Sequence, residues 1–217
     1  SAGEAPYFTS SATFSADENQ TSIGTVNAAD LDTKLLSFST SSSDVSITSA
    51  GVLTFISAPD YETKTSYTET IRVSDGINST SQEVTINITN QNDNAPVFTS
   101  AASFSAAENQ TAIGTVTASD ADEDSLTFTI SGSELEITSA GVLTFATAPD
   151  YETKSSYTAT VTVTDGDNPI TQDLTISVAN LNDNAPTFTS SASYSVDENQ
   201  TAIGTVTATD ADGNLNE

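Results

Sequence analysis

One acidic pattern returns every 90 residues, and that period constrains the fold more than any other feature of the chain. Glu-Asn-Gln-Thr stands at Glu18–Thr21, Glu108–Thr111 and Glu198–Thr201. Pro-Asp-Tyr-Glu stands at Pro59–Glu62 and Pro149–Glu152, and Asn-Asp-Asn-Ala-Pro at Asn92–Pro96 and Asn182–Pro186. A long repeat of this kind is a tandem array of one folding unit. The 217 residues then read as repeat 1 (1–94), repeat 2 (95–184) and the beginning of repeat 3 (185–217). A unit this small buries only about 60% of the surface its unfolded chain exposes, so an extra staple is expected. Cys is 0, which excludes disulfides and leaves a bound metal.

Inside a repeat the hydrophobic period is two. In repeat 2, Leu126, Phe128 and Ile130 alternate with threonines, as do Tyr157, Ala159, Val161 and Val163, and Leu174, Ile176 and Val178 alternate with Thr175 and Ser177. Such alternation marks half-buried strands. Further segments near 102–106, 113–118, 135–138 and 142–146 bring the expectation to seven short antiparallel strands. Turn residues fall between them at Ser139-Ala140-Gly141, Ala148-Pro149-Asp150 and Asp165-Gly166. The fold class expected is all-β: tandem seven-stranded Greek-key sandwiches of immunoglobulin-like type, joined end to end. Pro96 and Pro186 stiffen the short joints by fixing φ and removing a ladder donor.

Charge narrows the partners. Lys+Arg number 4 against 30 Asp+Glu, a net charge of −26. Nucleic acid needs a basic surface and is not expected as a partner; insertion into a membrane is not expected either, because no apolar run is long enough to span one. Divalent cations are the natural counterpart. His and Cys are both 0, so no His-dependent triad and no thiol nucleophile is available, and the chain reads as a non-enzyme. A carboxylate pair could hydrolyse glycosides, but here the pairing recurs at every joint. Zinc is disfavoured because its usual nitrogen and sulfur donors are absent. Asp120-Ala-Asp122-Glu-Asp124 begins like an EF-hand loop but has Ser125 at the sixth position and Ser131 at the twelfth, where that loop needs Gly and Glu. Met is 0 and no signal peptide is visible, so the segment reads as part of a mature, secreted, cell-surface protein.

Taken in order, Glu-Asn, Asp-Tyr-Glu, Asn-Asp-Asn-Ala-Pro, Asp-Ala-Asp and a strand-borne Asp-Gly resemble the calcium motifs of cadherin repeats, and the short, near-identical units are similar to cadherin-like repeats of large bacterial surface adhesins. The resemblance covers essentially the whole chain. It implies a calcium cluster at each joint, usually of three ions. At the first joint it implies ligands from Glu18, Asp60 and Glu62, from the linker residues Asn92, Asp93 and Asn94, from backbone carbonyls of Gln91 and Asn94, and from Asp120, Asp122 and Asp165. At the second it implies Glu108, Asp150, Glu152, Leu181, Asn182, Asp183, Asn184, Asp210 and Asp212, with the counterpart of Asp165 lying past Glu217.

The chemistry agrees with the resemblance. Ca²⁺ takes 6–8 oxygen ligands from carboxylates and carbonyls. Two carboxylates roughly 5 Å apart repel by about 3 kcal/mol at an effective dielectric of about 20, so the acidic groups would splay a joint that lacks cations. Three departures stand out. Asn90 and Asn180 occupy places where the family often has Asp. The loop after Asp122 is short, so that Asp124 or a water would have to replace a backbone ligand. Ala2-Gly3-Glu4-Ala5 precedes Pro6 where the other repeats have Asn-Asp-Asn-Ala, so the free end of repeat 1 is expected to be a weak site. Tyr61 and Tyr151 are expected to pack. The Asn-x-Ser/Thr sequons at Asn19, Asn78, Asn87, Asn109 and Asn199 are expected to stay bare. The function expected is a calcium-rigidified extracellular spacer in cell adhesion, its partners being calcium ions and adjacent repeats of the same chain. The alternative is direct binding of neighbouring chains or of cell-surface glycans, with residues 185–217 completing a fold by strand addition.

Overall fold

The structure, a computed structural model, describes residues 3–32 and 35–213. The outermost residues of repeats 1 and 3 as bounded above therefore lie outside the described residues. The chain divides into two compact units, Ser1–Asp93 and Asn94–Glu217. The second unit holds all of repeat 2 together with the residues of repeat 3.

Among the described residues the first unit has strands β1 (Tyr7–Phe8), β2 (Thr13–Asp17), β3 (Ser22–Thr25), β4 (Ala28–Ala29), β5 (Ser37–Thr40), β6 (Val45–Ile47), β7 (Val52–Phe55), β8 (Ser66–Ser74) and β9 (Ser79–Thr89). The second unit repeats them as β10 (Val97–Phe98), β11 (Ser103–Ala107), β12 (Ala112–Thr115), β13 (Ala118–Ser119), β14 (Thr127–Ile130), β15 (Leu135–Ile137), β16 (Val142–Phe145), β17 (Ser156–Thr164) and β18 (Ile170–Ala179). It adds the short pair β19 (Thr187–Phe188) and β20 (Ala208–Thr209). No helix occurs among the described residues.

Repeats 1 and 2 are each a sandwich. One sheet runs β11-β18-β17-β14 and the other β12-β16-β15, with the counterparts β2-β9-β8-β5 and β3-β7-β6 in the first unit. The core forms where the inward residues of both sheets meet: Phe128, Val161, Val163, Leu174, Ile176 and Val178 from one, Leu135, Leu143 and Phe145 from the other. The period-2 reading places these side chains correctly, because a residue and its second neighbour share a sheet face. Tyr61 and Tyr151 pack against the two cores, as expected of them.

Two details differ from the sequence expectation. The segment expected at 113–118 is two strands, β12 and β13, and β13 pairs with β10 through Val97↔Ser119 and Phe98↔Ala118. The pairing is also not antiparallel throughout. β11 runs parallel to β18, from Ser103↔Thr175 to Ala107↔Ala179, and β2 runs parallel to β9, from Thr13↔Thr85 to Asp17↔Thr89. Parallel neighbours need a long crossover, and here the whole body of the repeat serves as one.

The turn at Gly141 has a steric reason for its glycine. Its φ is +87°, and a Cβ there would lie 2.2 Å from the backbone oxygen of Val116; Gly51 repeats the arrangement with φ +89° and the oxygen of Val26. Only glycine fits a left-handed position with backbone that close.

Candidate metal centre

The parallel strand pair carries the first acidic residue to the exit of the repeat. Because Ala107 stands level with Ala179, the next residue, Glu108, lands beside the linker that leaves β18. The Glu108 N–H donates to the Ala179 carbonyl at 3.2 Å. Its side chain is 1% exposed. One oxygen accepts the Tyr151 N–H at 2.8 Å and the other the Leu181 N–H at 2.7 Å. A single buried carboxylate thus ties together the end of β11, the Pro-Asp-Tyr-Glu loop and the linker. Hydrogen bonds from two backbone donors to a charge are the stronger kind and offset part of the cost of burying it.

The residue after each such Glu is turned left-handed: φ is 62° at Asn19, 63° at Asn109 and 65° at Asn199. Asparagine tolerates that conformation better than most residues. The turn lets the Asn109 N–H donate to the Pro149 carbonyl at 2.9 Å, while its side-chain amide donates to Asp183. Asn19 does the same with Pro59 at 3.0 Å and with Asp93 at 2.5 Å. The amides of these two sequons are thus held by linker carboxylates. This role was missed at the level of sequence, although the strict Glu-Asn pairing in all three copies was its signal.

Asp150 shapes the next loop. Its Oδ1 accepts the N–H groups of Glu152 at 3.0 Å and Thr153 at 3.3 Å, and its Oδ2 accepts the Thr153 hydroxyl at 2.9 Å. The Thr153 hydroxyl first, and the loop N–H groups with it, hold the Asp150 carboxyl below the usual range. Asp60 is held down in the same way by Thr63. Asp212, 7% exposed, reaches the linker from the far side. Its Oδ2 accepts the N–H groups of Asn184 at 2.8 Å and Asp183 at 3.1 Å, and its Oδ1 the Asn184 side-chain amide at 2.9 Å. Those bonds, the Asn184 side chain foremost, lower its pKa. Glu152 moves the other way: loss of solvation raises it, and the charges of Glu108 and Asp212 add to the rise.

These residues form two overlapping acidic groups. Glu108, Asp150 and Glu152 bring one oxygen each within 4.8 Å of one another, and so do Glu152, Asp183 and Asp212. Glu152 belongs to both. Oxygens that share one Ca²⁺ at about 2.4 Å can lie up to about 4.8 Å apart, so both groups fit that ion. The donor set is all oxygen, with a carbonyl and amides of the linker alongside. Leu181 keeps its carbonyl in a turn, accepting the Asp183 N–H at 3.1 Å, and Asn182 is exposed in the linker. Asp210 stays outside both groups; its Oδ1 accepts the Asp212 N–H at 2.9 Å.

The first unit builds the same lower end. Glu18 is 3% exposed and accepts the Tyr61 and Gln91 N–H groups, both at 2.8 Å. Glu18, Glu62 and Asp93 bring oxygens within 4.8 Å of one another, and Asp60 caps its own turn as Asp150 does. The Gln91 carbonyl accepts the Asp93 N–H at 3.0 Å, and Asn92 is half-buried.

At the start of the second unit, Asp122 is 5% exposed and receives the Asn94 N–H at 2.8 Å and its side-chain amide at 2.9 Å. Asp120, Asp122 and Asp124 form a further group within 4.8 Å. Asp165, expected among the ligands, is not in that group. Its Oδ1 accepts the N–H groups of Asn168 at 2.6 Å and Asp167 at 2.8 Å, which lower its pKa. In the first unit Glu4 takes the place of Asn94, its N–H donating to Asp32 at 2.9 Å.

A two-sheet sandwich of this topology, with a buried Glu at the end of its second strand and an acidic Asn-Asp-Asn linker after its last, has the fold of cadherin-like domains. The comparisons with known proteins agree. A family profile described as a bacterial Ig domain matches residues 92–178. The protocadherin-like wing polarity protein stan of Drosophila melanogaster is 33% identical over 191 residues, covering 76% of this chain and 5% of that protein. Human cadherin-23 is 40% identical over 105 residues, covering 44% of this chain and 3% of that protein. The chain therefore spans a small fraction of the relatives it matches. Among solved structures, a protocadherin gammaB7 EC3-6 cis-dimer structure superposes with a TM-score of 0.76 at 24% identity, covering 95% of this chain and 61% of that one, a likeness that establishes the fold. No helix among the described residues is long and apolar enough to cross a membrane.

Proposed function

We propose that the chain is a non-enzymatic, extracellular repeat segment of a bacterial cell-surface adhesin, stiffened by calcium and serving to extend and space other parts of that protein. The observation that carries this reading is the convergence of Glu108, Asp150, Glu152, Asp183 and Asp212, drawn from four segments of the second unit, into two groups that share Glu152. Calcium would supply positive charge at a place where the chain has gathered only negative charge. Glu108, Asp150, Glu152, Asp183 and Asp212 would hold it, with Leu181, Asn182, Asn184 and Asp210 contributing from the linker and the following loop. The 90-residue period extends the proposal to Glu18, Asp60, Glu62, Gln91, Asn92 and Asp93 in the first unit, and to Asn94, Asp120, Asp122 and Asp165 in the second. It also sets the repeat boundaries at 1–94, 95–184 and 185–217.

Binding linked to order makes the metal a stabiliser of whatever arrangement holds it. The test is thermal unfolding of the whole chain in calcium and in EGTA, with small-angle scattering under both conditions. Calcium is expected to raise the unfolding temperature and to narrow the distribution of dimensions. Identical melting and identical scattering with and without the chelator would overturn the reading.

A further inference from the structure

Only 4 basic residues stand against 30 acidic ones, and two of them, Lys64 and Lys154, lie one 90-residue period apart, each two positions after the Glu of a Pro-Asp-Tyr-Glu loop. A positive charge beside carboxylates proposed to hold a cation has the wrong sign for that task, because it repels the ion. Both lysines have their charge taken up by another partner. Nζ of Lys154 donates to the two Glu134 oxygens at 2.6 and 2.7 Å and lies 4.4 Å from the centre of the Tyr157 ring. Lys64 donates to Asp44 at 3.3 Å and lies 3.9 Å from the centre of the Tyr67 ring. Each tyrosine in turn stands edge-on to a buried phenylalanine, Tyr157 to Phe145 at 5.1 Å and Tyr67 to Phe55 at 5.0 Å.

The acid that pairs with each lysine holds the other end of the same loop. The Glu134 carbonyl accepts the Ala146 N–H at 2.9 Å, at the first residue after β16, and the Asp44 carbonyl accepts the Ile56 N–H at 2.9 Å, at the first residue after β7. Lys154 closes the turn that holds Asp150 and Glu152, its N–H donating to the Asp150 carbonyl at 2.9 Å, and Lys64 closes the Asp60 turn at 2.9 Å. Glu134, just before β15, thus fastens both ends of the loop from Ala146 to Lys154, and Asp44, just before β6, does the same in the first unit. A loop fastened at both ends has fewer conformations to lose when its carboxylates gather round an ion, and such preorganisation strengthens binding.

We infer that Lys154 and Lys64 are positioning residues for the ligand loops: each clamps its loop to the body of the sandwich, and the acid it pairs with neutralises its charge. The inference rests on the calcium reading above and deepens it. Lys154 acts through Asp150 and Glu152, and Lys64 through Asp60 and Glu62, not on the ion itself. The clamp of the second unit is the tighter, because Glu134 is longer by a methylene and accepts with both oxygens, where Asp44 accepts with one at a greater distance. Both pairs are about half exposed, which sets the effect at about two- to fivefold in affinity, the range of solvent-exposed ion pairs.

The test is calorimetric titration of the metal-free full chain with Ca²⁺, for the parent, Lys154→Met, Lys154→Arg, Lys64→Met and Arg72→Met, with urea unfolding of each in calcium and in EGTA. Lys154→Met keeps an apolar stem but removes the clamp, and should weaken calcium binding about two- to fivefold. Lys64→Met should weaken it by less. Lys154→Arg can still pair with a carboxylate and stack on an aromatic ring, and should stay within about twofold of the parent. Arg72→Met removes the same charge from an exposed position on β8 and should bind calcium at least as tightly as the parent. Linkage requires the stability lost by Lys154→Met to be larger in calcium than in EGTA. A Lys154→Met chain that binds calcium as tightly as the parent, or more tightly, would overturn the inference alone, since removal of a positive charge by itself strengthens attraction for the ion. An equal loss of stability in the two conditions, the mark of a purely structural residue, would also overturn it, as would an equal weakening in Arg72→Met. A parent that binds no calcium would overturn it together with the reading beneath it.

Discussion

Glu108 and Glu198 carry the same four-residue motif and end in opposite environments. Both are followed by an Asn in the left-handed conformation, at φ 63° and 65°. Glu108 is 1% exposed and bound by two backbone donors, whereas Glu198 is exposed. The residues around them diverge alike. Val116 is fully buried and its counterpart Val206 is 65% exposed; Phe98 packs against the core and Phe188 is 75% exposed. β11 and β12 are held by β18 and β16, while among the described residues 193–206 join no sheet. The motif thus fixes a local turn by itself, whereas burial of Glu108 comes from the strands that pack around it.

The largest break in this comparison should come from the carboxylate itself. Glu108→Ala in calcium-containing buffer leaves the Tyr151 and Leu181 N–H groups without their acceptor and should cost about 3 kcal/mol of unfolding free energy, whereas Glu198→Ala should cost nothing measurable. Urea unfolding of both variants checks this; equal losses would show that the motif works without its surroundings. A somewhat smaller contrast is expected in the core. Val116→Ala should cost about 2–3 kcal/mol through a cavity, and Val206→Ala should stay within about 0.5 kcal/mol, read from the same unfolding curves.

The turn residue should show a smaller split. Asn109→Ala loses both tolerance of a positive φ and the bond to Asp183, so it should cost about 1–2 kcal/mol. Asn199→Ala loses the first alone and should cost about half as much, the difference being measurable by thermal unfolding.

The smallest effect is on pH. The lowered carboxyls Asp60, Asp150, Asp165 and Asp212 contribute stability that is present above the ordinary Asp pKa and is lost as pH falls through their lowered folded values. The raised carboxyls Glu152 and Asp124 act in the opposite sense, favouring the fold below their ordinary pKa and losing that contribution as pH rises through their folded values. Metal-free protein should therefore gain slightly on mild acidification before it loses stability in stronger acid. A melting temperature that only falls from neutrality downward would contradict this balance.

Much of the fold was legible because alternation and repetition are local signals. Leu174, Ile176 and Val178 read as an inward row and are one. The parallel pairing of β11 with β18 was not legible, since strand direction leaves no mark on either segment. That pairing is nonetheless what carries Glu108 to the linker. Asp165 was expected among the ligands because its motif matched, and its Oδ1 also accepts the N–H groups of its own turn. Asp210 likewise serves the Asp212 N–H. Asp and Asn close their own turns as readily as they bind cations, and one residue's sequence context cannot separate the two uses.

By itself the sequence determined the 90-residue unit, the inward rows of each strand and the left-handed turn after every motif Glu, all of which depend on residues a few positions apart. Tertiary structure alone decided which acids are buried, which meet and which stay in solvent. The bonds that bury Glu108 join residues 43 and 73 positions apart, and no short-range preference can bring such distant groups together.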